Sequence, residues 1–295
     1  MQLKTAASLI GNQSNGGSIM KKKKLKLSRI LLYAVLVFIT LAMMVPFVWM
    51  LSASLKLDKD VFIFPIQWIP QNPRWKNYLD IWTKIPLLKF VLNTLKLTVI
   101  VTVLQLLTSS FAAYAFAKLN FKNKNILFLA YIATIAVPWQ VYMVPQFMMM
   151  RSFGLNDTHL AIICLQAFSA FGVFMMRQFY QNIPDELCEA ARIDGMSEYK
   201  IYAKIMLPLS KPALSTLIIF TFVGTWNDFL GPMIYLKTEA KKTLQIGLRM
   251  FISQYSSEYG LIMAASVISL IPVLIIFLSL QKYFVEGIAS TGIKG

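Results

Sequence analysis

The sequence predicts an all-α integral membrane protein with six transmembrane helices. Of its 295 residues, 57% are apolar and only 14% are charged. The mean hydropathy is +0.60, a value that soluble domains of this length rarely reach. Six separate apolar runs approach the roughly 20 residues that a helix needs to cross a bilayer core. A multi-span membrane domain accounts for both the composition and its distribution along the chain.

The six apolar runs define one predicted transmembrane domain, residues 30–280. In chain order they are Ile30–Leu51, Phe90–Ala117, Ile126–Met150, Leu160–Tyr180, Ala213–Tyr235 and Leu261–Leu280. The first run follows a basic cluster but lacks a small-residue cleavage site, so it is predicted to be an uncleaved span and not a signal peptide. Pro138 and Pro145 predict a kink in the third run, because proline lacks a backbone N–H donor.

The basic residues of the chain predict its orientation in the membrane. A net charge of +16 would suggest nucleic-acid binding in a soluble protein, but beside membrane spans Lys and Arg set the topology instead. Residues 1–29 are expected to form a basic, disordered, cytoplasmic segment in which Met20 is an alternative start. With six spans, the tail of residues 281–295 returns to the cytoplasm. The cations before the first span are Lys4, Lys21, Lys22, Lys23, Lys24, Lys26 and Arg29.

Residues that could support catalysis or metal binding are sparse. Cys164, Cys188 and His159 are dispersed, which predicts neither a disulfide framework nor a metal site. The sequence has no phosphate-binding loop with the Gly-x-x-x-x-Gly-Lys-Ser/Thr pattern, so the chain is not expected to hydrolyse ATP by itself. It also has no nucleophile and base at a spacing that predicts an enzyme. We therefore expect a non-catalytic chain that binds no cofactor of its own.

A polar segment, residues 184–209, separates the fourth and fifth apolar runs. Pro184 can begin a helix of about eleven residues, and Gly195 can end it in a left-handed conformation. A second helix is expected from Ser197, as the N-terminal cap, to Pro208. Its apolar face is predicted to contain Tyr199, Tyr202, Ile205 and Met206. Two short helices joined at a glycine turn are thus predicted on the cytoplasmic side.

The fifth run contains polar residues within the sequence GTWNDFLGP. Asn227 and Asp228 must face protein or water, because lipid would leave their polar atoms without partners. Together with Trp226 they could line a path for a sugar, whose hydroxyls bind amides and carboxylates beside an aromatic face. A buried polar clamp between helices is an equally good interpretation of the three residues.

The spacing of the polar segment resembles the EAA loop of permease subunits in bacterial ATP-binding-cassette importers. The sequence EAARIDG is followed by IMLP, and the segments AYAFAKLNFKNKN, WNDF and FVEGIASTGIKG resemble one of the two permeases of maltose-type carbohydrate importers. The resemblance extends from about Arg29 to the end of the chain and implies the type I importer permease fold. The residues that match the loop motif are Glu189, Ala190, Ala191, Asp194, Gly195, Ile205, Leu207 and Pro208.

The resemblance implies a set of partners and a location. The EAA loop would dock on a cytoplasmic ATPase dimer, which would hydrolyse ATP with Mg²⁺. A second permease would supply the other half of the path, and an extracellular solute-binding protein would deliver the carbohydrate. The outer loop at residues 237–260 would approach that binding protein, and the tail at residues 282–295 would contact the ATPases. The protein would span the bacterial inner membrane in contact with lipid and would bind no nucleic acid.

Three other functions are compatible with parts of the sequence. An ion-coupled secondary transporter acting alone would be expected to show two similar halves, and no clear internal repeat is visible. An importer permease for a non-sugar polar solute would share the loop motif, and a membrane enzyme would need a catalytic constellation. The sequence leaves open the sugar, the permease that holds it, and whether the ATPase is dedicated or shared.

Overall fold

We describe a computed structural model of the chain over residues 15–252 and 258–292. Regular structure in these ranges is helical, with short 3-10 turns at Thr134–Ala136 and Glu239–Lys241. The α-helices are α1 Asn15–Ser54, α2 Asp58–Val61, α3 Asn77–Lys84, α4 Leu87–Lys118, α5 Lys124–Ala133, α6 Trp139–Ser152, α7 His159–Gln166, α8 Ala170–Gln181, α9 Glu186–Ile193, α10 Glu198–Ile201, α11 Leu207–Leu209, α12 Lys211–Trp226, α13 Leu230–Tyr235, α14 Leu244–Met250 and α15 Tyr259–Gly292.

The first helix begins well before the predicted span. Its backbone is already helical at Asn15, whereas the sequence favours disorder up to residue 29; residues 1–14 lie outside the described part. Lys is a good helix former, and extending an existing helix costs far less than starting one, which accounts for the longer helix. At the other end of the chain, α15 continues beyond its predicted span to Gly292.

Within the described residues, four helical segments are long and apolar enough to cross a membrane, and six result only if two bent helix pairs each count as one span. One pair is α5 with α6, bent by 100°. The third predicted run is therefore not a single straight helix. Val137 is extended before Pro138 (φ −89°, ψ 110°), as expected for a residue before proline. Pro145 lies inside α6 without ending it.

The fourth and fifth predicted spans are also interrupted. Between α7 and α8 the helix breaks, and the Ser169 hydroxyl caps α8 by accepting from the Gly172 N–H at 3.0 Å. The fifth run ends as a helix at Trp226 and resumes at Leu230 as α13. The second bent pair joins α10–α11 to α12 at 79°.

The fourth helix, α4, is the centre of the packing. It contributes to three buried clusters: one beside residues 184–209 that includes Tyr114, one near α15 that is contacted by Val91, and one near α7 that includes Leu97. Close approach to α8 depends on Gly172, where an added Cβ would lie 2.5 Å from Ser109 Oγ. The path of α4 through the protein therefore determines the positions of its neighbours.

The connection after α13 is tied to the ends of neighbouring helices by polar side chains. Asn93 on α4 donates to the carbonyls of Ala240 and Lys242 at 3.0 and 2.9 Å. Asp157, between α6 and α7, accepts from the backbone N–H groups of Lys237 and Thr238 at 2.8 and 3.1 Å. Hydrogen bonds from Thr238 lower the pKa of the Asp157 carboxyl. These contacts order the first part of the loop after α13.

A substitution at Gly172 tests the contact between α4 and α8. We expect Gly172→Ala to lower the free energy of unfolding by about 1–3 kcal/mol, because the methyl group must displace Ser109. Gly224→Ala is the matched control, since its Cβ would meet nothing within 4 Å. Thermal unfolding midpoints in detergent measure both. Equal midpoints would contradict the close packing, and adding Ser109→Ala should recover part of the loss.

Candidate functional site

The first loop helix, α9, ends in a left-handed glycine turn as the sequence predicts. Gly195 has φ +78°, and the following N–H of Met196 donates to the Ala191 carbonyl at 3.0 Å, closing the helix C terminus. The helix is shorter than expected: it begins at Glu186, so Pro184 precedes it. Cys188 and Ala191 face the protein and are buried.

The second loop helix differs from the prediction in which residues it buries and in where it ends. Ser197 is extended but makes no side-chain cap. Tyr199 is 72% exposed, whereas Ile201 is fully buried. A π-helical turn, Tyr202–Met206, follows α10. The helix then continues through Pro208 in α11, directly after the π-helical turn.

The loop motif residues fall into three environments. Ala191 is buried, and Ile205 and Leu207 are half-buried against the core. The others are exposed: Glu189, Ala190, Asp194 and Gly195 lie at or before the turn between the two helices, and Pro208 lies at the far end of the second helix. The motif therefore combines an inward apolar side with an outward side of small and acidic residues.

Ion pairs hold the base of this loop. Lys118, at the end of α4, donates to the Ile183 carbonyl at 2.6 Å and to the Asp185 carboxylate, which lowers the pKa of Asp185. Arg192 Nε donates to Glu198 Oε1 at 2.7 Å, and this bond raises the pKa of Arg192. The two loop helices are thus joined to each other and to α4.

A polar cluster lies where the fourth and fifth predicted spans break, between α7 and α8 and between α12 and α13. Gln166 Nε2 donates to Asp228 Oδ2 at 2.7 Å, and the Gly231 N–H donates to Asp228 Oδ1 at 3.1 Å. From α4, Gln105 donates to the Gln166 carbonyl at 2.7 Å and Thr108 to the Ala167 carbonyl at 2.8 Å. These bonds replace those that the interrupted helices lack.

Two cavities adjoin this cluster, with volumes of about 340 and 320 Å³, and both are lined by Gln166 and Asp228. The first also presents the aromatic rings of Trp139 and Tyr142, and the Trp139 Nε1–H donates to Gln146 Oε1 at 2.8 Å. The other residues of the first cavity are Gln146, Ile162, Leu165, Gly231 and Tyr235; the second adds Gln105, Ser169, Phe171, Leu217, Phe220, Thr221, Gly224 and Thr225.

The three candidate path residues of the fifth run have different partners and do not line one common cavity. Trp226 is 1% exposed, donates to the Ser269 carbonyl at 3.0 Å and stacks on Phe222; it lines none of the three cavities described here. Asn227 lines a third cavity of about 240 Å³, where it accepts from Gln245 Nε2 at 3.2 Å. Of the three, Asp228 alone lines the first two cavities.

Sequence reasoning missed the amides of the polar cluster and the aromatic residues of α6. Gln105, Gln146 and Gln166 each stand within an otherwise apolar run. An uncharged amide in such a run must find a partner inside the protein, and this signal was available in the sequence. Trp139 and Tyr142 carried no such signal, because aromatic residues are common on lipid-facing surfaces.

Comparison with known proteins identifies the family. Residues 105–290 match the family described as binding-protein-dependent transport system inner membrane component. The chain belongs to this family. The matched region includes the loop of residues 184–209 and the polar cluster, so both are parts of the family domain. As a binding-protein-dependent permease, the chain is a transport subunit of an ATP-binding-cassette importer.

Individual relatives extend the match over nearly the whole chain. The arabinooligosaccharides transport system permease protein AraQ of Halalkalibacterium halodurans is 33% identical over 279 residues, covering 94% of this chain and 100% of the relative. The melibiose/raffinose/stachyose import permease protein MelC of Bacillus subtilis is 32% identical, covering 85% and 91%.

A solved structure shares the fold. It belongs to a bacterial ABC transporter involved in the import of the acidic polysaccharide alginate; the TM-score is 0.77 at 26% identity, with 88% of this chain and 97% of that chain covered. An importer permease with this fold is a multi-pass membrane protein that works with other subunits. A secondary transporter acting alone is therefore excluded as the function.

The polar cluster of this permease predicts different effects for two substitutions at Asp228. Asp228→Ala leaves the Gln166 amide and the Gly231 N–H without their acceptor. It should lower the free energy of unfolding by about 1–3 kcal/mol. Asp228→Asn keeps one acceptor oxygen and should lose less. Thermal unfolding in detergent measures the stability of both variants. Equal losses of stability would show that the acceptor oxygen kept by Asn does not contribute.

Proposed function

We propose that this permease forms half of a carbohydrate path and is driven by a cytoplasmic ATPase dimer that binds the loop of residues 184–209. The observation that carries the proposal is the loop itself. Its two helices are anchored to α4, and its exposed side presents Glu189, Ala190 and Asp194 around the turn at Gly195. Such a surface fits the cleft of a partner that moves the loop as one body.

The physical features of the loop support docking. Ala190 lets another chain approach closely, and the two carboxylates offer acceptors to partner side chains. Ile193 is 86% exposed, which adds an apolar contact of the kind found at interface centres. Because Cys188, Ala191 and Met206 are buried on the opposite side, a force on the exposed side would reach the spans without first unfolding the loop.

The two cavities at the polar cluster support a sugar path. Asp228 supplies a carboxylate, and Gln146 and Gln166 supply amides, beside the aromatic rings of α6. Sugar hydroxyls and apolar sugar faces bind such groups. The relatives that transport arabinooligosaccharides and melibiose, raffinose or stachyose support the carbohydrate class.

The remaining parts of the assembly follow from the same proposal. A second permease completes the path, and an extracellular solute-binding protein supplies the sugar. ATP and Mg²⁺ bind to the ATPase subunits and not to this chain. The basic residues before the first span favour a cytoplasmic amino terminus, and six spans would return the carboxyl terminus to the same side of a bacterial inner membrane.

A substitution at Gly195 tests the role of the loop. Gly195→Val imposes a β-branched residue on a left-handed turn, which costs about 1–3 kcal/mol of backbone strain and distorts the docking surface. We expect membrane insertion to persist, while ATP-dependent uptake falls by roughly fivefold or more. Gly154→Val is the matched control, because Gly154 also has positive φ (72°) but lies between α6 and α7. Normal coupled uptake in Gly195→Val would disprove the proposal.

The composition of the native assembly tests the partners and the solute class. We expect mild solubilisation to recover this chain with a second permease and an ATPase. Cells expressing the assembly should take up labelled arabinotriose, melibiose or raffinose in competition with one another. Recovery of the chain alone would contradict the partners. An intact assembly that takes up none of these sugars, but takes up a polar solute of another class, would contradict the carbohydrate assignment alone.

A further inference from the structure

Three polar side chains form a stripe on the cytoplasmic half of α4 and contact both halves of the loop. Ser110, Tyr114 and Lys118 are four residues apart and therefore share one helix face. The Ser110 and Tyr202 hydroxyls are 2.7 Å apart, and Lys118 donates to the Asp185 carboxylate. We call these three side chains the α4 stripe.

The middle contact of the α4 stripe joins three elements at one carboxylate. Tyr114 is 2% exposed, and its hydroxyl donates to Glu198 Oε2 at the start of α10. The same carboxylate accepts from Arg192 Nε and Nη2 at 2.7 and 3.3 Å, from the end of α9. Glu198 therefore links both loop helices to the second span.

We propose that Tyr114 and Glu198 are positioning residues that transmit displacement of the loop to α4, a role that rests on the proposed function of the loop. The geometry distinguishes this role from a contribution to packing alone. The Arg192–Glu198 pair is 38% and 39% exposed, and exposed ion pairs stabilise proteins little. The bond to the buried Tyr114 phenol is what connects the pair to a spanning helix.

The structure explains why this link can be removed without unfolding the loop. Tyr114→Phe keeps the ring in its cluster with Tyr180 and Tyr202, at centroid distances of 6.4 and 5.6 Å. The freed Glu198 oxygen remains within reach of water because the side chain is 39% exposed. The variant therefore loses the hydrogen bond between α4 and α10. It retains the packing around that bond, including the stacked rings of Phe111 on α4 and Tyr199 on α10.

A cysteine reporter in the purified native assembly tests the proposal without knowledge of the solute. Gly224→Cys adds a thiol on α12 at the lining of the second cavity, where an added Cβ would meet nothing within 4 Å. Cys164, which is exposed, is replaced by Ser; Cys188 is buried. The rate of labelling by a small thiol reagent is compared with and without Mg-ATP and vanadate, and ATP hydrolysis is measured in the same preparation.

We expect Tyr114→Phe to reduce the nucleotide-dependent difference in labelling rate by about fivefold, the equivalent of one lost hydrogen bond. ATP hydrolysis and recovery of the ATPase should stay within about twofold of the parent, because the surface that docks is unchanged. Tyr180→Phe is the matched control: within the described residues its hydroxyl makes no hydrogen bond to residues 184–209, and the ring lies in the same cluster. Its labelling difference should equal that of the parent.

Glu198→Gln weakens the same hydrogen bond from the side of the more exposed residue. It tests the role of this bond even if the Tyr114→Phe variant does not assemble. The double variant should lose no more than the larger single loss, because both substitutions act on one contact.

Each outcome separates this inference from the proposed function. A parent assembly whose labelling ignores nucleotide overturns both. A responsive parent, with Tyr114→Phe and Glu198→Gln responding equally well, overturns only the link through the α4 stripe. Equal losses in Tyr114→Phe and Tyr180→Phe also overturn it, because they would reflect general packing.

Discussion

The hydrocarbon interior of a bilayer offers no hydrogen-bond partners, and this constraint explains the placement of the polar cluster in this permease. A helix that breaks within the membrane must have its free backbone groups satisfied by neighbouring side chains. Gln105 and Thr108 do this for the break between α7 and α8, and Asp228 does it for the break before α13. The breaks and the polar cluster therefore depend on one another, and the cavities exist where the two broken spans meet.

The second span, α4, provides most of these partners and also the links to both ends of the molecule. Near its N-terminal end, Thr94 accepts from the Leu244 N–H at 2.8 Å, which fixes the start of α14. In its middle it supports the polar cluster, and near its C-terminal end the α4 stripe holds the loop of residues 184–209. A single continuous helix thus touches the connection that precedes α14, the cavities and the loop. A rigid element with such contacts is suited to carry a movement from one side of the membrane to the other.

The loop shows how a short polar segment can be both exposed and well fixed. Its inward residues, Cys188, Ala191, Ile201 and Met206, belong to the same buried cluster as Tyr114. Burial of apolar area stabilises this attachment, while Glu189 and Asp194 remain exposed. The arrangement favours movement of the loop as a unit, because bending it internally would expose this cluster to water.

The sequence by itself determined the membrane class, the polar loop between two apolar runs and the left-handed turn at Gly195, because these features depend on local composition and on backbone preferences. The motif spacing of the loop is visible in the sequence. The sequence did not predict that Ile201 would be buried in place of Tyr199, or that the helix would continue through Pro208. The sequence also predicted a kink in the third run from Pro138, but not its angle of 100°. Only the tertiary structure decided that Trp226, Asn227 and Asp228 have different neighbours and that Glu198 meets Tyr114. Those outcomes depend on contacts between residues far apart in the chain, whose geometry no local pattern encodes.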